Sequence, residues 1–337
     1  MINAYAFFRL PGKSEYIEVR QNDGDIEILP SYADISGSKG FVIAPFAISD
    51  SCPLMIIRPD VCRKYDVPTM EQQCCCDNVF TKEKKAYIED FNRFHDSLMS
   101  GTFQKIVLSR NSETKRCGNV TDKEIFLIAC NLYPNMFVAL VSAPYCGTWL
   151  MSTPEILIDG NGSEWHTMAL AGTMRNATEI EWSDKNRQEQ KYVEDYIAGR
   201  LKPYVDGMQI AGPYTSHAGN LVHLRSDFTF ALRHPEALGR IIDCLHPTPA
   251  VCGLPKEETM DFIINNEHSP RRYYSGFSGM LNMDGETHLF VSLRCMNITL
   301  EKFILYAGGG LLDVSTAEKE WLETVAKMET MKRCIVR

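Results

Sequence analysis

The run FVALVSA returns through APYCG into TWLMST, and HLFVSLRCMNI returns through NITLEK into FILYAG. Apolar runs joined by so few residues favour antiparallel pairing, because a parallel pair needs a crossover of about a dozen residues or more. FQKIVLSR and TWLMSTPEILID add further strand-like stretches. Residues 1 to about 80 alternate short apolar runs with the turn signals LPGKSE, NDGD and SGSKG, which suits a meander of strands. Helical spacing marks Lys82 to Met99, and two more helices are expected from near Asp184 and near Ser315. No repeat and no low-complexity linker interrupts the chain, and no G-x-G-x-x-G opens a helix after a strand. Strand pairs mixed with long helices read as α+β rather than as a doubly wound sheet.

The 337 residues can bury a substantial core, and a formal charge of −8 speaks against non-specific nucleic-acid binding. A local basic pocket for a small anion stays compatible with that charge. The N-terminal MINAYAFFRLPGK lacks a secretory pattern, and no stretch reaches the apolar length of a membrane span. Twelve cysteines are scattered, and the cluster Cys74-Cys75-Cys76 lacks zinc or thioredoxin spacing. Reduced thiols in a cytoplasmic protein are the expectation.

The stretch LYAGGGLLDVSTAEKEWLETVAK, Leu305 to Lys327, reads as a strand leaving through a glycine-rich loop into a helix. Ser315 and Glu318 form a capping-box pattern that would start this helix. Trp321, Val325, Met328 and Met331 then make its buried face, with Glu320, Glu323 and Lys327 along one edge. Alone, Glu323 and Lys327 would be an ordinary surface pair. In DKNRQEQKYVEDYI, however, Glu189 projects near the centre of the face formed by Val193, Tyr196 and Ile197. A carboxylate there needs a partner, and a glutamate from each of two helices is a common way to hold Mg²⁺. The glycines would let backbone N–H groups approach an anion beside the metal. No Gly-Lys-Ser/Thr follows them, so a P-loop is excluded.

Strand alternation puts Phe103, Lys105, Val107 and Ser109 on one face. Lys105 either reaches solvent or, desolvated near other cations, becomes a base. Glu155, after Pro154 at a strand end, is either a surface residue or a buried acid kept protonated. Arg294 in SLRC is either a salt-bridge residue or a carboxylate clamp, and His223 in LVHL either a core histidine or a ligand.

Together the motifs FQKIVLSR, STPEIL, LAGTMR, DKNRQEQKYV, LVHL, LHPTPAVCGLPK, YYSGFSG, SLRC, YAGGGLL and EKEWLETVAKM resemble, in order, those of the chorismate-utilising enzymes. That family includes isochorismate synthase, salicylate synthase, anthranilate synthase component I and aminodeoxychorismate synthase. The resemblance runs from about residue 100 to the end, and the first 95 or so residues carry no comparable motif. It implies one large domain with antiparallel sheets stacked in the centre and helices outside, with divergent strands and a helix over 1–95 packed on a catalytic region over 96–337. It also implies the following roles. Lys105 would be the base that activates water and Glu155 the acid that protonates the departing 4-hydroxyl. Glu189 and Glu323, with Glu320 close by, would hold Mg²⁺. Arg294, Gly308, Gly310, Lys327 and Tyr274 would bind the substrate carboxylates, with Thr173 and His223 lining the same pocket. The expected partner is chorismate, with no nucleic acid, membrane or amidotransferase subunit, and a monomer is expected.

Within the family, Ala171 in LAGT stands where aminodeoxychorismate synthases carry a lysine nucleophile, and Leu170 stands where anthranilate synthases usually carry isoleucine. LHPTPAVCGLPK and LAGTMR are most similar to isochorismate synthases, of menaquinone or catecholate siderophore pathways. Three positions bear on that reading. Asn186 replaces a usual carboxylate, which would weaken Mg²⁺ binding; Val251 replaces a larger apolar residue; and Tyr274 also occurs in salicylate synthases. A salicylate synthase, or a non-catalytic chorismate-binding homologue, are the alternatives.

Overall fold

The computed structural model describes residues 4–81, 83–175, 180–218 and 221–336. The first strands are β1 (Ala4–Arg9), β2 (Glu15–Gln21), β3 (Glu27–Leu29), β4 (Gly40–Ala44), β5 (Leu54–Ile57) and β6 (Val61–Asp66). Helix α1 (Lys84–Met99), strand β7 (Lys105–Lys115) and helix α2 (Asp122–Leu132) follow. Then come β8 (Phe137–Ala143), β9 (Gly147–Thr153), β10 (Ile156–Asn161), β11 (Glu164–Arg175), α3 (Asp184–Leu201), β12 (Val205–Ala218), β13 (Leu221–Leu232) and α4 (Ala237–Leu245). The chain ends with β14 (Gly253–Leu254), α5 (Lys256–Asn266), β15 (Phe277–Met283), β16 (Glu286–Val291), β17 (Cys295–Ile298), β18 (Lys302–Leu311) and α6 (Ala317–Ile335).

These strands form two nine-stranded sheets, ordered β14-β7-β18-β17-β9-β8-β1-β2-β6 and β12-β13-β11-β10-β16-β15-β4-β5-β3. Every pairing is antiparallel, and in hairpins such as β8–β9 and β17–β18 the short connection requires it. The first 66 residues contribute to both sheets: β1 joins β8, and β4 joins β15.

The sheets face one another across an aromatic core that includes Phe8, Phe41, Trp149 and Tyr273, with Phe137 and Phe290 stacked at 4.2 Å. On the outer face of the first sheet α2 and α6 pack through Ile125, Phe126, Met328 and Met331. On the second, α3 and α4 pack through Val193, Ile197, Ile241 and Ile242. Both faces of β8 are therefore covered, which explains why it reads as an apolar run with little alternation.

Two strand-like stretches of the sequence each divide between the sheets. TWLMSTPEILID breaks at Pro154-Glu155, with β9 in the first sheet and β10 in the second. THLFVSLRCMNI breaks at Ser292–Arg294, between β16 and β17. The two crossings run side by side, because Val291 N donates to Glu155 O at 3.0 Å and Ser152 N donates to Arg294 O at 3.1 Å. Arg294 therefore lies outside any strand, in the left-handed region at φ 45°. Its side-chain direction does not follow from strand alternation with Leu293 and Cys295.

Other expectations need correction. The glycines are no loop: Gly308, Gly309 and Gly310 lie inside β18, paired with Ser109, Leu108 and Val107. The helix after them has Thr316 as N-cap, with no side-chain cap. The Ser315 hydroxyl instead accepts from Leu312 N, and Glu318 pairs with Lys84, so the capping box does not form. Phe103 precedes β7 and packs with Ile106 and Leu108, apart from the face of Lys105. Helix α1 begins at Lys84, and Lys82 lies outside the described residues. Helices α2, α4 and α5 and the β12–β13 ribbon were not anticipated. Thr121 and Glu124 form a real capping box on α2. The twelve cysteines are free, and burial pushes Cys75 up to about 12. No described helix is long and apolar enough to cross a membrane.

Candidate active site

Nine of the twelve residues singled out in the sequence line one pocket: Glu155, Thr173, Glu189, His223, Tyr274, Arg294, Gly308, Gly310 and Lys327. They come from both sheet crossings, from the turn before β15, from β11, β13 and β18, and from α3 and α6. The other three, Lys105, Glu320 and Glu323, do not line it but lie close to the glycines of β18. A Cβ on Gly310 would meet Glu189 Oε1 at 2.1 Å and Lys105 Cε at 2.9 Å. One on Gly309 would meet Glu320 Oε2 at 3.2 Å and Glu323 Oε1 at 3.5 Å, and one on Gly308 would meet Tyr274 Oη at 2.9 Å. None of the three glycines has a positive φ, so they are required for room rather than for backbone freedom.

Each carboxylate has a lysine. Lys105 Nζ, wholly buried, is 3.0 Å from Glu189 Oε1, yet it finds no hydrogen-bond partner at acceptable angles. Lys185 Nζ lies 2.5 Å from Glu320 Oε1, and Lys327 Nζ lies 2.7 Å from Glu323 Oε1 while donating to Gly308 O at 2.8 Å. Burial alone would raise Glu189, but Lys105 and then Lys185 hold it below the usual carboxylate range. Glu320 is pushed up by burial, and Glu323 adds to the rise.

Glu155 behaves oppositely to Glu189. Complete burial lifts it to about 8, against the pull of Lys105, Arg294 and Lys327. It therefore carries its proton at neutral pH, as a general acid must. Arg294 donates to His223 Nε2 at 2.9 Å, and His223 Nδ1 faces Gly172 O at 2.9 Å. Burial first, then Arg294 and Lys327, hold His223 well below its ordinary value and keep it neutral. Arg294 Nη1 is buried without an acceptor. A buried guanidinium with an unused donor beside a pocket is suited to a carboxylate.

The donor set suits a hard divalent cation: three carboxylates over a glycine strand, with Glu320 Oε2 buried and unpartnered. Among the described residues no three such side chains are gathered around a common point; Glu189, Glu320 and Glu323 each lie beside a lysine instead.

Some parts of the site escaped the sequence reading. Asn186 does not face the carboxylates. It accepts from Ser183 Oγ at 2.6 Å and borders Gly172, so the departure there falls at the start of α3. Lys185, its neighbour, is the residue that reaches Glu320; its place four residues before Glu189 on the helix was the available signal. Gln190 accepts from Ala171 N and donates to Ala169 O, fixing the LAGT strand to α3. Glu267 and Arg271 form a buried pair behind the wall, with Arg271 donating to Val107 O and Val251 O. Both lie beyond the end of α5, in the segment leading to β15, and nothing local marks them as buried or as partners.

Residues 62–336 match the chorismate binding enzyme family, and the chain belongs to it. Isochorismate synthase DhbC of Bacillus subtilis strain 168 is 29% identical over 256 residues, covering 71% of this chain and 64% of its own length. Isochorismate synthase MenF of Escherichia coli K12 is 29% identical over 240 residues, covering 67% of this chain and 54% of its own length. The matches thus span less than two thirds of these relatives. A structure of a candidate 2,3-dihydroxybenzoate-specific isochorismate synthase, DhbC from Bacillus anthracis, superposes with a TM-score of 0.85 at 23% identity, covering 98% of this chain and 96% of that one. That likeness establishes the fold: antiparallel sheets in the centre, helices outside.

Proposed function

We propose that this chain is an isochorismate synthase, moving the hydroxyl of chorismate from C4 to C2. The observation that carries the reading is a buried carboxyl, Glu155, lining the same pocket as Glu189, which in turn lies 3.0 Å from the buried Lys105. Water adds at C2 as its proton passes to Lys105; the ring double bonds shift; the C4–O bond breaks as Glu155 delivers its proton to the leaving hydroxyl. One water enters and one leaves, so the reaction is an isomerisation. Arg294 and Lys327 take the substrate carboxylates, with the Tyr274 hydroxyl beside Gly308. Glu189, Glu323 and Glu320 would hold Mg²⁺, which would balance the charge of a substrate carboxylate.

A supply role for menaquinone or a catecholate siderophore follows from this reading, and a cytoplasmic monomer without an amidotransferase fits either. A salicylate synthase is the second reading, favoured by the smaller Val251 in the pocket wall. A non-catalytic binder is disfavoured, because binding alone has no use for a paired acid and base.

Incubating the purified chain with chorismate, with and without Mg²⁺ and ammonium, and resolving products by HPLC tests this directly. Mg²⁺-dependent isochorismate without pyruvate is the expected result. Salicylate with pyruvate would move the chain to the lyase branch, and an aminated product would overturn the reading of Ala171.

A further inference from the structure

Lys105 and Lys327 have parts in the proposed reaction, but Lys185 has none. It stands in the first turn of α3, one turn before Glu189, and reaches across to α6 to hold Glu320 Oε1 at 2.5 Å. The Glu320 side chain is 3% exposed, and its second oxygen has no partner. Glu320 thus spends one oxygen on a lysine and keeps the other idle over Gly309.

Three carboxylates packed against one strand repel one another, and three lysines offset them. A divalent cation entering this balanced set adds two charges, so one lysine has to withdraw. Lys105 is wholly enclosed, and Lys327 is tied to Gly308 O as well as to Glu323. Lys185 is the most exposed of the three at 22%, and its flexible stem can carry the ammonium out to water.

We propose that Lys185 is a resident counter-cation that competes with the divalent metal for Glu320, moving to solvent when the metal binds. The inference rests on the magnesium reading above. Its consequence is a pocket that stays charge-balanced without metal and has a cation affinity below what three free carboxylates would give.

Mn²⁺ binding to the full chain without substrate, followed by electron paramagnetic resonance, tests it. Lys185→Met should bind Mn²⁺ up to about fivefold more tightly than wild type, the size of one partly exposed ion pair. Glu320→Gln should bind more weakly, and adding Lys185→Met to it should then bring no gain. Equal or weaker binding by Lys185→Met would overturn the proposal. A measurement on the wild-type chain covers the case in which the variant fails to fold: acetylation of Lys185, read by mass spectrometry, should rise several-fold on adding Mg²⁺, and unchanged labelling at saturating Mg²⁺ would also overturn it. If neither wild type nor variant binds Mn²⁺, the metal reading falls together with this one. If wild type binds but Lys185→Met binds no more tightly, only the competition fails.

Discussion

Arg294 donates to Nε2 of His223 at 2.9 Å, and this contact decides which ring nitrogen carries the proton. An arginine has no acceptor, so Nε2 must be bare, and Nδ1 holds the hydrogen that faces Gly172 O. Burial and the neighbouring cations then oppose a second proton. His223 is therefore expected to keep the Nδ1–H tautomer and to stay neutral through the range in which histidine ordinarily titrates. Nitrogen-15 spectra of histidine-labelled protein would show it, and a midpoint near the ordinary histidine value would refute the arrangement.

Glu155 makes turnover sensitive at the alkaline end. Its carboxyl holds a proton up to about 8, so the proposed acid is lost as pH rises through that value. The stability sign is opposite to that of a salt-bridged carboxylate. Between the ordinary 4.5 and about 8 the unfolded chain has released this proton and the folded chain has not, so wild type loses stability across that window. Glu155→Gln should cut turnover about 10²–10⁴-fold. In urea melts it should gain on wild type progressively from about pH 4.5 to 8. A difference constant with pH would place the carboxyl elsewhere in its titration.

Removing Lys105 takes away both a base and a counter-ion. Lys105→Ala should abolish turnover while chorismate still binds in the presence of Mg²⁺. It should also destabilise the metal-free protein by about 3–5 kcal/mol, because Glu189 is left buried and unpaired. Adding Glu189→Gln should recover part of that stability without recovering turnover. Denaturant titrations of both variants separate the effects, and undiminished turnover in Lys105→Ala would remove it as the base.

Glycines separate site from scaffold. At Gly310 a methyl group meets the ends of two flexible side chains, Glu189 and Lys105. At Gly279 it meets His288 O at 2.0 Å, with φ at 149°. Gly310→Ala should therefore fold with a near-normal melting temperature and lose most of its turnover, whereas Gly279→Ala should fail to fold or melt far lower. Thermal melts beside activity assays would show the reverse pattern if the β18 glycines were merely structural.

How much of this was legible follows from where each residue gets its direction. Hairpins such as β8–β9 could be read because turn length fixes antiparallel pairing. Glu189 was visible because helical spacing put it on an apolar face, and that face is buried. Arg294 and Glu155 were recognisable as residue types in motifs, but not as neighbours. Each sits where its chain leaves one sheet for the other, and no local pattern reports such a crossing. Nor does local pattern show that Gly308–Gly310 continue a ladder with a strand two hundred residues away.

The pair behind the wall gives the last test. Arg271 and Glu267, with side chains 2% and 3% exposed, are joined by two contacts at 2.7 and 2.8 Å. Arg271 also donates to Val107 O and Val251 O, and Glu267 Oε1 accepts from Ser109 N at 2.6 Å. One ion pair thus ties β7 to the segment before β14, and both Val107 and Val251 face the pocket. Losing the arginine leaves a buried carboxylate and two unpaired carbonyls, so Arg271→Met should cost about 3–5 kcal/mol in urea titration. Glu267→Gln added to it keeps an acceptor for Ser109 N and removes the stranded charge, so the double variant should regain stability over Arg271→Met. Because the pocket wall stays loosened, its KM for chorismate should remain high even as stability returns. Recovery of KM together with stability would show that the pair supports the fold without positioning the wall.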